Sequence, residues 1–344
     1  MRLRPHITAP VLAAAACAAA LVAGGCNNST LFSTVKPLLI TNTCAPGGGA
    51  VGMNVNIEGK DGHAIDLAAA QATIAVQTRN GHGPWVDATN VTYDVTKHPT
   101  TDTMLVADNS GSEVSTLPTV KAALHGFTDA VLPRPPDDRA GLVRVSTHAT
   151  LEQPLTTDAP TIDAAIESLH SLNGWTALWD GVRLANEALG ADATPGGPIS
   201  LLRCVDGPFP AIVMFTDGRD NNSADQHSDP ANGDHIDTTP AMLHDLNVQG
   251  MLTNVTAIGI GPQVDDAALA GIVQAGGRYV HIDGYPELLD AMVEAANLLQ
   301  QLVPISFTPV DCNQTEALVT VTYQSSSGPE TIATTAPIPG SYCQ

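Results

Sequence analysis

Positive charge is scarce in this chain of 344 residues: 14 Lys and Arg stand against 35 Asp and Glu, a formal net charge of -21. A surface that acidic argues against nucleic acid and anionic lipid headgroups as partners, because both repel it. Charged residues are few overall at 14%, and hydrophobic residues are ordinary at 43%. That balance excludes global disorder and leaves enough apolar side chain for a packed core. The 6 cysteines include no Cys-x-x-Cys pair and no Cys/His cluster, so nothing suggests zinc. Also missing are a Gly-x-Ser-x-Gly elbow, a Gly-Lys-[Ser/Thr] phosphate loop and a His-Glu-x-x-His helix, which argues against an enzyme of those classes. No internal repeat is visible. Beyond residue 25 no apolar run is long enough to span a bilayer.

The first residues have the pattern of an export leader. Arg2 and Arg4 form a basic start, residues 9–23 form a short apolar stretch, and small residues follow. The cut region Leu21-Val22-Ala23-Gly24-Gly25-Cys26 resembles a bacterial lipobox, with Ala23 where leucine is commonest. The resemblance implies that residues 1–25 are removed and that Cys26 becomes the lipidated first residue. The chain would then reach the membrane through a lipid anchor only, in the bacterial cell envelope. Asn27 is not the aspartate associated with inner-membrane retention, which favours the outer membrane. Ordinary cleavage nearby, with Cys26 left as a plain thiol, is the alternative. Export means an oxidising compartment. Cys44, Cys204, Cys312 and Cys343 remain for disulfides, with the connectivity open. Cys312–Cys343 is favoured because both lie in one tail, which leaves Cys44–Cys204.

Residues 26–52 read as a tether, with Asn27-Asn28-Ser29-Thr30 near the start and Ala45-Pro46-Gly47-Gly48-Gly49 near the end. Residues 53–101 alternate with period two: Val55 and Ile57, Ile74 and Val76, then Val91, Tyr93 and Val95. Turn signals such as Arg79-Asn80-Gly81 separate the runs, which makes this a β-rich N-terminal segment. From residue 102 to 303 buried strands alternate with amphipathic helices. Strands are expected at 103–107, 141–147, 211–216, 255–259 and 279–282. Helices are expected at 117–132, 163–169, 178–189, 240–246, 266–275 and 286–302. That order predicts an α/β fold: a doubly wound, mainly parallel sheet with helices on both faces. Residues 304–344 return to β. The two flanking segments read equally as one small β-sandwich, into which the α/β unit is inserted, or as separate extensions of it.

Sites in doubly wound sheets form where strands end. Asp108-Asn109-Ser110-Gly111-Ser112 follows the apolar run Met104-Leu105-Val106-Ala107, so one carboxylate and two hydroxyls leave a buried strand together. Thr176 sits in Gly174-Trp175-Thr176-Ala177-Leu178-Trp179-Asp180-Gly181, ahead of a helix. Asp217 follows the run Ala211–Thr216 in Phe215-Thr216-Asp217-Gly218. An oxygen-only set of this kind suits a hard cation, Mg²⁺ above all, with Mn²⁺ or Ca²⁺ as the others. Singly, each of these residues also suits a helix cap or a turn.

Together, Asp108-x-Ser110-x-Ser112, Thr176 and Thr216-Asp217-Gly218 resemble the metal-ion-dependent adhesion site of von Willebrand factor A domains. The similarity covers about residues 102–303 and takes in the strand Val255-Thr256-Ala257-Ile258-Gly259-Ile260-Gly261. Glu113 departs from it, standing where methionine is frequent. The resemblance implies that the hydroxyls of Ser110 and Ser112 bind the metal directly and that Thr176 does so when ligand is bound. Asp108 and Asp217 would act mostly through waters, and the partner would be a protein presenting Asp or Glu. Trp175 is a candidate rim contact and Trp179 a candidate core residue, while the loop 219–237 reads as solvated polar chain, with an accessory cation site or a specificity loop as the alternative. Two rivals remain. One is a structural envelope protein whose metal only stiffens loops. The other is a phosphoryl-transfer enzyme with Asp108 as nucleophile, against which Ser110 stands where a second aspartate is wanted. The lipid anchor is open to test: Cys26→Ala should move the protein from the membrane to the soluble fraction on cell fractionation, and continued membrane association would refute lipidation.

Overall fold

The computed structural model describes residues 38–47, 50–58, 63–110, 115–132, 138–170, 174–190, 208–223, 238–248, 254–273 and 277–338. A mixed, mostly parallel six-stranded sheet forms its centre, with strands β6 (Thr101–Asp108), β7 (Arg139–Val145), β8 (Ala149–Thr156), β9 (Phe209–Thr216), β10 (Asn254–Ile260) and β11 (Arg278–Ile282). Their order is β11-β10-β9-β6-β7-β8, with only β8 antiparallel to its neighbour. β6 and β9 lie mid-sheet and are buried along their whole length, as parallel strands covered on both faces must be. Alternation then assigns their side chains to two cores. Leu105, Ala107, Val213 and Phe215 face one side, where helices α1 (Leu117–Val131), α2 (Ala159–Ser168) and α6 (Leu288–Gln300) pack. Met104, Val106, Ile212 and Met214 face α3 (Leu178–Gly190), α4 (Pro240–Val248) and α5 (Asp266–Ile272).

The helices follow from apolar spacing. α1 buries Val120, Ala123, Leu124, Phe127 and Val131 at steps of three and four, with Pro118 in its first turn, where a missing N–H costs nothing. α3 lies close on the sheet because residue 181 is glycine: a Cβ there would collide with Val145 and crowd Val106.

Two further antiparallel sheets flank this unit. One has the order β1-β2-β12-β5 and the other β14-β13-β3-β4. Their strands are β1 (Leu38–Gly47), β2 (Ala50–Ile57), β3 (Thr73–Arg79), β4 (Val86–Asp87), β5 (Thr89–Tyr93), β12 (Val303–Thr308), β13 (Glu316–Ser325) and β14 (Gly328–Pro337). Val51, Met53, Val55 and Ile57 of β2 share one core with Ile74 and Val76, with Ile305 and Phe307, and with Val319 and Val321. Strands from before and after the α/β unit thus make one sandwich.

Two expectations need correction. The tether expected over residues 26–52 does not extend that far, because β1 and the start of β2 lie inside it, paired antiparallel. Gly47 pairs with Ala50, so Gly47 belongs to a strand and not to a linker. The expected strand list also omits β8. Its Pro154 cannot donate a ladder hydrogen bond, a loss that an edge strand with a register shift tolerates. Cys26, where lipidation was expected, and the cysteines Cys204 and Cys343 lie outside the described residues, as does the side chain of Cys44. Cys312 is disulfide-bonded.

Polar contacts fasten the sandwich to the α/β unit. The Arg278 guanidinium at the start of β11 donates to Glu58 at 2.7 Å, with both side chains buried. Asn56 donates its side-chain amide to the Leu298 carbonyl at 3.0 Å, and the Ala64 N–H donates to Glu294 at 2.6 Å, both on α6. A buried ion pair stabilises little net, yet breaking it strands a charge away from water. Arg278→Ala should therefore lower stability by about 3–5 kcal/mol in urea titration, and replacing both Arg278 and Glu58 with methionine should restore most of that loss. An Arg278→Ala protein with unchanged midpoint would show that the pair does not hold the junction.

Candidate functional site

The site is built at the carboxyl ends of the parallel strands. β6 ends on Asp108, whose side chain is fully buried. The Thr216 hydroxyl, at the end of β9, donates to Asp108 Oδ2 at 2.6 Å. The Ser110 N–H donates to Asp108 Oδ1 at 3.1 Å, and the Ser110 hydroxyl bonds the same carboxylate. Burial pushes the Asp108 carboxyl up to about 6; the hydrogen bonds from Thr216 and Ser110 oppose that rise, and the nearby Asp217 charge adds to it. Asp217 is half-buried on the turn that leaves β9.

Thr176 reaches this edge by a different route, since its loop spans from one neighbour of β6 to the other. On the β7 side, the Ala177 N–H donates to the Ser146 carbonyl at 2.8 Å, and the Trp175 N–H donates to the Thr147 hydroxyl at 3.3 Å. On the β9 side, the Thr176 N–H donates to Asn221 Oδ1 at 2.7 Å, and the Thr176 carbonyl accepts from the N–H groups of Asn221 and Asn222. β6 lies between β7 and β9, so a loop tied to both passes over the strand end that carries Asp108. Residue 174 is glycine because a Cβ there would collide with the Thr147 hydroxyl. Thr176 is buried, as is Trp179 at 6% exposure, while Trp175 projects at 46%.

Of the residues expected to hold a metal, the structure brings Asp108, Ser110, Thr176 and Asp217 to one sheet edge; Ser112 lies outside the described residues. The donors fit a hard divalent cation. They are all oxygens, and a buried carboxylate beside a second carboxylate is the arrangement that a cation relieves. Among the described residues no group of three or more His, Cys, Asp or Glu side chains forms a metal cluster.

Sequence reasoning missed the segment Asp220–Ser223, taken as part of a solvated loop. Asp220 accepts from the N–H groups of Trp179, at 3.1 Å, and Leu178, at the start of α3. Ser223 donates both its N–H and its hydroxyl to the same carboxylate, and its hydroxyl accepts from the Asp180 N–H. Burial raises the Asp220 carboxyl above the ordinary range, against these hydrogen bonds. The Asn222 side chain donates to the Thr147 carbonyl at 2.5 Å. The missed signal was Asp-Asn-Asn-Ser itself, four residue types that favour local bonds to backbone.

The model of the von Willebrand factor type A domain family matches residues 103–219. No curated protein matches the chain. Among solved structures, a von Willebrand factor type A protein from Catenulispora acidiphila is 13% identical, over 88% of this chain and 71% of its own, with a TM-score of 0.46. Proximal thread matrix protein 1 from the mussel byssus is 18% identical, over 59% of this chain and 49% of its own, with a TM-score of 0.46. The same mussel protein, described with a zinc-occupied MIDAS motif, is 19% identical, over 60% and 47%, with a TM-score of 0.43. The chain thus spans about half the length of the mussel protein.

The Asp220 clasp supports a prediction about local stability. Asp220→Ala removes the carboxylate at the start of α3 and should lower stability by about 1–2 kcal/mol, the usual worth of such a cap. Thermal unfolding followed by circular dichroism measures it, and an unchanged transition would show that the clasp is dispensable.

Proposed function

We propose that this chain, which carries a von Willebrand factor type A domain over residues 103–219, is a metal-dependent protein-binding module. Asp108, Ser110, Ser112, Thr176 and Asp217 would hold a divalent cation, with Mg²⁺ as the best fit to an all-oxygen set. A bound cation supplies an electrophilic position that an Asp or Glu of a partner can complete. The observation that carries this reading is the buried Asp108 carboxylate, bonded to Thr216 and Ser110 and crowded by Asp217 under the Thr176 loop.

The residues divide the work by charge. Neutral hydroxyls from Ser110, Ser112 and Thr176 leave the charge of a cation poorly neutralised, so it keeps affinity for an outside carboxylate. Asp108 and Asp217 orient waters and hydroxyls around it. This is a binding role and not catalysis. The module would be held at the cell envelope, on the outer membrane, by a lipid on Cys26, a reading supported by the leader sequence.

Asp108 also gives the site a pH dependence. Its carboxyl, at about 6 in the fold, lies above the ordinary value of about 3.9. Without metal, ionising it costs stability as pH rises through that window. A cation favours the ionised form, so metal binding should be full above pH 7 and about tenfold weaker at pH 5, where about a tenth of Asp108 is ionised. Mg²⁺ should raise the melting temperature at pH 7.5, much less at pH 5, and not at all in Asp108→Ala. An equal rise in the variant would refute the site.

A further inference from the structure

Asn109 is a polar side chain where the strand pattern favours an apolar one. It continues the row of Leu105 and Ala107 on the face of β6 that packs beneath α1 and α2, and it is fully buried. Its N–H donates to the Val145 carbonyl at 2.8 Å, which carries the β6–β7 ladder one residue past Asp108. Its side-chain amide donates to the His170 carbonyl at 2.6 Å, just beyond the end of α2. Among the described residues no donor meets its Oδ1. A side chain that makes one hydrogen bond and leaves one acceptor buried adds little to stability. Its use lies in where it pins the chain.

What it pins is the start of the loop that runs from Asp108 through Ser110 and Ser112 to α1. The helix at the far end of that loop is held to α2 as well. On α1, His125 Nδ1 and Nε2 each lie 2.9 Å from a carboxylate oxygen of α2, belonging to Asp163 and Glu167. Lys121 of α1 also donates to the Glu167 carbonyl at 2.5 Å. His170 therefore follows an anchored helix, and from it the chain runs on to Thr176. The Asn109–His170 bond ties the first metal loop to the segment that leads into the Thr176 loop. The spacing of those two loops decides which cation fits. Mg²⁺ demands near-ideal octahedral geometry at about 2.0–2.1 Å, whereas Ca²⁺ accepts more oxygens, at about 2.3–2.6 Å, in flexible arrangements.

We propose that Asn109 is a positioning residue that fixes Ser110 against Thr176 and thereby makes the site selective for Mg²⁺ over Ca²⁺. The proposal rests on the metal-dependent reading above. It is tested by calorimetric titration of Mg²⁺ and, separately, Ca²⁺ into the full chain and into Asn109→Ala, Asn109→Leu and Asp108→Ala, with melting of each in EDTA. Both Asn109 variants should bind Mg²⁺ at least about tenfold more weakly than wild type, the usual loss when a group that orients metal ligands is removed. Their Ca²⁺ affinity should fall by no more than about threefold, because Ca²⁺ tolerates displaced ligands. In EDTA they should melt close to wild type. Equal losses for the two cations, no loss for either, or failure of both variants to fold would overturn the role of Asn109 and leave the metal-dependent reading intact. No cation binding by wild type, or equal binding by Asp108→Ala, would instead sink that reading, and this proposal with it.

Discussion

A carboxylate removed from water at the end of a central strand is the constraint around which this domain is organised. Asp108 is fully buried, and its ionised form is disfavoured by burial and by the neighbouring charge of Asp217. A polar group in that position is a cost unless its environment answers it. Thr216 and Ser110 answer part of it with hydrogen bonds, and the carboxyl still sits near 6. What remains is a standing preference for positive charge at one sheet edge. A packed core has no use for such a preference, whereas a cation-dependent binding site needs it.

The parallel sheet makes this arrangement possible. β7, β6 and β9 end side by side, so three loops leave one edge together. The loop after β6 begins with Ser110, the turn after β9 carries Asp217, and the Thr176 loop is tied to the ends of β7 and β9. Asp220 links this geometry to the helix behind it, because the carboxylate that meets the N–H groups of α3 belongs to the segment whose Asn221 fixes Thr176. Positioning of the site and capping of the helix are therefore one set of bonds.

Much of this was legible in the sequence, for identifiable reasons. β6 and β9 announced themselves as short apolar runs ending in Asp108 and in Thr216-Asp217, and the three motifs are local enough to be read without contacts. β8 was not legible, because Pro154 in a half-exposed run is as compatible with a loop as with an edge strand. β1 was masked by the glycines that follow it. Period two in Val55 and Ile57 says that one face is buried but not against what, so the sandwich stood as one of two readings. Asp220 escaped because capping is a matter of where a loop returns, and the sequence shows only that a polar loop leaves.

The insertion of the α/β unit into the sandwich fixes which way the site faces. The chain passes from β5 of the sandwich into β6 at Thr101 and returns from α6 into β12. The buried Glu58–Arg278 pair joins the sandwich to the first residue of β11, at the amino ends of the parallel strands. Asp108 lies at the opposite end of the eight-residue β6 from Thr101, roughly 23 Å along the strand at the rise of a parallel strand. β1, the first described strand, belongs to the sandwich. The junction of the sandwich with the sheet is held by specific polar bonds. Asn56, Ala64 and the Glu58–Arg278 pair supply them, gripping both the last helix and the outermost strand of the domain.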